Sequence, residues 1–241
     1  MKSEVAQQRS LLDLAEVDAE LGRLNHRAAH LPEQQRYDQA LAQQREAADR
    51  LSVLGVALED IDAQISRLES EVDGVRKRED RDRGLLDGGS VSDSRQLEEL
   101  QHELGTLERR QSSLEDSLLE VMERREELAA EQSAARDGLE RADAEVAEAR
   151  QARDEALAGI EESRTQRGAH REGLAAGLDG ELVTLYEQRR SASGIGAGRL
   201  QAGRCGACRI ELDRGELGRI AAAPEDEVLH CPECRAILVR P

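Results

Sequence analysis

From Leu51 onward, apolar residues recur at alternating spacings of three and four, through Leu54, Leu58, Ile61, Ile65, Leu68, Val72 and Val75. This is the a/d repeat of a coiled coil, in which one stripe of a helix is buried against a stripe of another. The spacing resumes at Leu97 and continues to Ile160, where fifteen of nineteen a/d positions are apolar and Gln111, Arg125, Gln132 and Arg153 interrupt the seam. An earlier run, Leu14, Val17, Leu21, Leu24, Ala28 and Leu31, is out of phase with the run from Leu51. The break falls at Pro32, which disfavours helix at the residue before it and suits the first turn of a new one.

Between the strong runs lies Gly84-Leu85-Leu86-Asp87-Gly88-Gly89-Ser90-Val91-Ser92-Asp93-Ser94, whose glycines and short polar residues predict a turn near 84–94. Asp93 with Gln96 three residues on resembles a capping box at the start of the next helix. Residues 51–83 are then expected antiparallel to roughly 95–128, with the N-terminal helix beside the later part of a second helix that reaches about residue 190. Gly168, Gly173, Gly177 and Gly180 are its weak points, since each glycine costs about 1 kcal/mol relative to alanine. Heptads do not name the partner helix, so an intermolecular coiled coil is the alternative. The glycine-rich turn in the middle of the heptad region favours an intramolecular hairpin, and a homodimer of hairpins stays open.

Composition supports long helices over a conventional core. Among 241 residues, 38% are apolar, 35% are charged and 1% are aromatic, with two tyrosines and neither phenylalanine nor tryptophan. Such a chain has little material for a deep small-molecule pocket or for stacking single-stranded bases, which disfavours an enzyme. The formal net charge is −17. Residues 199–241 carry seven arginines and seven acids, so that whole charge lies in residues 1–198 and repels nucleic acid along the helical region. No apolar signal region follows the N-terminal residues and no run approaches the eighteen or so apolar residues of a membrane span, so a soluble, cytoplasmic protein with no membrane partner is expected.

All four cysteines lie in two Cys-x-x-Cys pairs, Cys205/Cys208 and Cys231/Cys234, with 22 residues between the pairs. Two such knuckles at this separation are the spacing of a tetrahedral four-cysteine zinc site. About 43 residues with few Leu, Ile and Val side chains cannot support a fold alone, whereas a structural zinc contributes roughly 10–16 kcal/mol of apparent binding energy in small peptides. Four thiolates close the coordination shell, so one structural Zn2+ is expected and no catalytic water. A thiol redox role and ligation by His230 in place of a cysteine are the alternatives. Alternating stretches around the knuckles read as short strands, and Asp213-Arg214-Gly215-Glu216 as the start of a short helix through Ala223. The fold class is therefore mainly α: an antiparallel coiled-coil hairpin over 1–190, a glycine-rich linker over 191–198 and a zinc ribbon over 199–241.

With hairpin and ribbon both in place, the chain resembles the bacterial coiled-coil plus C4-type zinc-ribbon family. The resemblance is carried by Val91-Ser92-Asp93-Ser94-Arg95-Gln96-Leu97-Glu98-Glu99-Leu100-Gln101-His102-Glu103-Leu104, by Glu181-Leu182-Val183-Thr184-Leu185-Tyr186-Glu187 before the glycine-rich 194–198, and by the knuckles. Two departures stand out: Arg235-Ala236 replaces the family's usual Gly-Arg after the last cysteine, and Gly198-Arg199 interrupts a small apolar strand. The resemblance implies an adaptor; members in flagellated bacteria are associated with sigma-54, with flagellin messenger RNA or with secretion components.

The remaining chemistry is sparse. Arg76, Lys77 and Arg78 near the hairpin tip read as a solvated helix end pairing with nearby acids, or as a contact for an acidic partner or RNA. Arg204, Arg209 and Arg235 beside the knuckles would offset the net charge of a zinc tetrathiolate, or offer a partner or nucleic-acid surface. His26, His30, His102 and His170 read as surface helix residues, and Tyr186 as a packing residue where hairpin meets ribbon. The expected function is a non-enzymatic, zinc-binding adaptor or chaperone-like protein with a protein partner; the alternative is an RNA- or DNA-binding protein using the ribbon and tip arginines.

Overall fold

A computed structural model describes residues 1–89 and 92–241. Helix α1 spans Val5–Ala29, α2 Pro32–Asp87, α3 Ser94–Ala176 and α4 Gly180–Ser193; strands β1 (Ala197–Gln201) and β2 (Arg204–Cys205), helix α5 (Arg214–Ala222), and strands β3 (Leu229–His230) and β4 (Ile237–Val239) follow. A long helical hairpin thus precedes a small strand region that carries the four cysteines. Two units divide the chain, Arg36–Arg150 and the pair of segments Met1–Gln35 and Gln151–Pro241.

In the unit Arg36–Arg150, α2 and α3 run antiparallel. Ion pairs tie Asp62 to Arg125 at 2.6 Å, Glu71 to Arg110 at 3.2 Å and Arg36 to Glu148 at 3.0 Å across the two helices. The seam holds Leu54, Ile61, Val72, Leu104 and Leu114, all buried at a/d positions. The same chain thus supplies the partner helix that the heptads leave open. Of the four polar interruptions, Arg125 is exposed and turns outward to Asp62, while Gln111 donates to Glu115 at 2.7 Å. Of the predicted turn over 84–94, α2 continues through Gly84 to Asp87 and α3 begins at Ser94; Ser90 and Val91 lie outside the described residues. The Asp93 carboxylate accepts from the Arg95 N–H at 3.2 Å and so caps the first turn of α3.

In the other unit, α1 lies antiparallel to the later part of α3, with Arg171 on Asp18 at 2.6 Å and Arg167 on Glu20 at 2.9 Å. Pro32 is the first residue of α2, where a missing N–H goes unnoticed. Helix α3 absorbs Gly168 and Gly173 and ends only at Ala176. The single helix expected to about 190 is therefore two, because the Asp179 side chain starts α4 by accepting from the N–H groups of Glu181 and Leu182 at 2.9 and 3.1 Å. Residues 191–198, expected as a linker, are instead the last turn of α4, a Gly194 cap and the start of β1.

The sheet has the order β2-β1-β4-β3, with β1 parallel to β4 and the outer pairs antiparallel. Helix α5 begins as its sequence predicts, with Asp213 accepting from the Glu216 N–H at 2.9 Å. Strand β4 is buried on both faces. Ile237 and Val239 pack with Leu11 and Leu14 of α1 and with Leu182 and Tyr186 of α4, while Leu238 packs with Cys205, Cys231, Leu212, Ile220 and Leu229. The alternation of a strand sends neighbouring side chains to opposite cores.

Candidate metal centre

Each cysteine pair sits in the same backbone turn. The Arg209 N–H donates to the Cys205 carbonyl at 2.7 Å and the Cys205 N–H to the Ile210 carbonyl at 3.0 Å. In the second pair, Arg235 donates to the Cys231 carbonyl at 2.9 Å and Cys231 to the Ala236 carbonyl at 3.0 Å. Closing both turns places Arg209 and Arg235 in the left-handed region, each at φ 63°. That conformation favours glycine, which explains the family's usual glycine at the position of Arg235 and shows that this chain keeps the turn without it.

The two turns aim four sulfurs at one point. Cys205 Sγ lies 3.9 Å from Cys234 Sγ, Cys208 Sγ lies 3.9 Å from Cys231 Sγ, and all four fall within 4.8 Å of one another. A tetrahedral tetrathiolate with zinc–sulfur bonds of about 2.3 Å has sulfurs about 3.8 Å apart, so the set fits Zn2+. Cys205 and Cys231 are buried, and Cys208 and Cys234 half-buried. Burial pushes the Cys205 thiol up, and the Cys234 thiol up to about 12. At Cys208 burial acts the same way, but the Ile210 N–H and neighbouring thiols outweigh it and hold the thiol below its ordinary value. Four thiolates crowded this closely need a cation, and a divalent soft-to-borderline ion meets that need. His230 stands outside the set: its Nδ1 is buried with no hydrogen-bond partner among the described residues.

Close backbone approach holds the first knuckle against the sheet. A Cβ on Gly198 would lie 2.5 Å from the Ala207 nitrogen, so only glycine fits at this interruption of the apolar strand. The arginines divide into two groups. Arg204 pairs with Glu211 at 3.2 Å, whereas Arg209 and Arg235 are exposed and form no ion pair among the described residues. Near the end of α2, Arg76 pairs with Glu115 and Lys77 with Asp73, each at 2.6 Å, and Arg78 is exposed.

A second polar cluster escapes the sequence reading. The Asp18 side chain, 6% exposed, accepts from Tyr186 Oη at 2.7 Å and from Arg171 Nε at 2.6 Å, and lies 3.2 Å from Arg190 Nη2. Glu187 binds Arg171 and Arg190 and completes the network. Burial, followed by the Asp18 carboxylate, holds the Tyr186 phenol far above its ordinary value, so it stays a donor. Tyr186 and Arg171 lie 168 and 153 positions from Asp18 in sequence, beyond any local motif. His26 and His30, read as surface helix residues, are exposed and stack with ring centroids 4.3 Å apart.

Comparison with known proteins agrees with both halves of the fold. A protein of Mycobacterium tuberculosis strain H37Rv, Rv2229c, is 58% identical over all of this chain and 98% of its own length. A solved structure from Mycobacterium smegmatis is 55% identical, covers all of both chains and superimposes with a TM-score of 0.88. CT398 from Chlamydia trachomatis shares the fold at 16% identity, with a TM-score of 0.72 over 98% of each chain. None of these matches carries the association with sigma-54, flagella or secretion that the resemblance implies. No described helix is long and apolar enough to cross a membrane. Residues 204–238 match the C4-type zinc ribbon domain, and because residues 14–194 match the CT398-like coiled coil hairpin domain, the chain belongs to that family.

Proposed function

We propose that this chain is a cytoplasmic, non-enzymatic adaptor in which Cys205, Cys208, Cys231 and Cys234 hold one structural Zn2+ and the helical hairpin and ribbon present surfaces to a protein partner. The observation that carries the reading is the closed set of four sulfurs within 4.8 Å. Four thiolates complete a tetrahedral shell and leave no position at which a metal-bound water could act, so the ion supplies stability to the ribbon and no chemistry. The families that match are coiled-coil and zinc-ribbon types, in keeping with a binding role.

Cobalt substitution tests the site. Full-length chain stripped of metal and loaded with Co2+ is expected to show the intense visible d–d bands of a tetrahedral tetrathiolate, altered in Cys208→Ser and in Cys234→Ser. A weak octahedral spectrum, or one indifferent to both substitutions, contradicts the assignment. For the adaptor role, cross-linking in the native organism is expected to join α2, α3 or the ribbon to one recurrent protein; cross-links to no protein above background contradict it.

A further inference from the structure

Outside the cysteine set, two metal-ligating side chains meet at the end of α1. Residues four apart share one face of a helix, and His26 in the last turn of α1 stands in that relation to His30 at its C-cap. Their rings stack with centroids 4.3 Å apart and planes 28° apart, and both residues are exposed. His102 and His170 are exposed as well, but neither stacks on another ring among the described residues, and His230 belongs to β3 of the ribbon.

One hydrogen bond decides which nitrogen of His30 can bind an ion. Its Nδ1 lies 3.0 Å from the His26 carbonyl oxygen. A carbonyl only accepts, so Nδ1 carries the proton of the neutral ring and Nε2 keeps its lone pair. Metal-bound imidazoles are held in this way, with the far N–H tied to a carbonyl that sets tautomer and ring orientation. Two imidazole nitrogens on one ion, at bond lengths of about 2.0–2.1 Å, lie about 3 Å apart. Exposed rings that already stand face to face reach that spacing by small turns about their side-chain bonds. The backbone favours a cation here as well, because the last carbonyls of the 25-residue helix α1 carry partial negative charge. Arg27 shares the turn, but neighbouring helix residues do not face each other, so its charge points away from the pair.

We propose that His26 and His30 form a second metal site, of a different class from the cysteines: a two-nitrogen chelate for a late first-row divalent ion, Ni2+ or Cu2+. Each ring gives the ion one nitrogen, and water fills the remaining positions. Imidazole without thiolate holds these ions by the usual order of divalent affinities, whereas a closed tetrathiolate selects zinc, so the two sites sort metals by ligand chemistry. The proposal stands independently of the zinc reading.

Calorimetric titration of Ni2+ into the zinc-loaded full chain, in a buffer without chelating groups, tests this, with near-ultraviolet absorbance reporting any nickel–thiolate charge transfer. One Ni2+ per chain is expected beyond the zinc, with no charge-transfer band. Affinity is expected to fall at least about tenfold in His26→Ala and in His30→Ala and to hold in His102→Ala and His170→Ala. All four positions are exposed, and circular dichroism verifies that each variant keeps its helices. No uptake of Ni2+ overturns the proposal, and uptake that falls equally in all four variants overturns it as adventitious binding only. Affinity that falls in just one of His26→Ala and His30→Ala overturns the chelate. Release of zinc with a charge-transfer band places the ion on the cysteines and overturns it too.

Discussion

Tyr186 donates its hydroxyl to the Asp18 carboxylate at 2.7 Å, joining α4 to α1 across 168 positions of sequence. With Arg171 and Arg190 on the same carboxylate, removing Asp18 leaves the buried phenol without its acceptor and two guanidinium groups sharing Glu187 alone. Asp18→Ala is expected to lower unfolding stability by about 3–5 kcal/mol, the range for breaking one side of a buried ion pair. Tyr186→Phe removes a single hydrogen bond and is expected to lower it by about 1–2 kcal/mol. Denaturant unfolding of the zinc-loaded chain, followed by circular dichroism, measures both.

Much of this architecture is legible in the amino-acid sequence. The three-four spacing from Leu51 to Val75 and from Leu97 to Ile160 identifies the hairpin because burial of a stripe imposes that period. Pro32 and Asp213 mark helix starts through chemistry confined to one turn, and two Cys-x-x-Cys pairs point to the cluster of four sulfurs because two knuckles at that separation can converge on one ion. What stays hidden is long-range. Asp18 is one acid among 51, and nothing near it signals Tyr186, Arg171 or Arg190. Packing of Leu11 and Leu14 with Ile237 and Val239 is hidden for the same reason. Of the four glycines that mark weak points, Gly168 and Gly173 stay helical, and the break falls between Gly177 and Gly180, where the Asp179 side chain caps α4.

Gly196 lies against the face of the Tyr186 ring, and a Cβ there would come within 2.6 Å of Cζ. Since Tyr186 is fully buried, the ring has nowhere to retreat. Gly196→Ala is expected to destabilise the unit by about 1–3 kcal/mol through overpacking, read as a lower thermal midpoint with zinc content unchanged. A midpoint equal to the native one contradicts this packing.

Arg209 and Arg235 hold left-handed backbone that an arginine adopts at an expense of about 1–2 kcal/mol relative to glycine. Part of that gain is offset by the greater freedom of glycine in the unfolded chain. Arg235→Gly is therefore expected to raise the thermal midpoint of the zinc-loaded chain or leave it unchanged. A clear fall contradicts the strain and points to the guanidinium itself as a stabilising group.

The nucleic-acid alternative depends at the ribbon on the same two side chains and at the tip on Arg78, because Arg76, Lys77 and Arg204 already pair with Glu115, Asp73 and Glu211. With a net charge of −17 in residues 1–198, the adaptor reading expects no RNA or duplex DNA binding by fluorescence anisotropy at physiological salt. Binding that weakens steeply with salt and is lost in Arg209→Ala with Arg235→Ala contradicts that expectation and favours the alternative.

Native mass spectrometry of the full chain purified without added metal addresses the central claim most directly, because it counts ions per molecule and sees each variant intact. The account predicts one zinc per chain, absent from Cys205→Ser with Cys234→Ser. Chain carrying no zinc, or carrying it undiminished after both substitutions, would contradict the assignment of Cys205, Cys208, Cys231 and Cys234 as the ligands that hold the ribbon together.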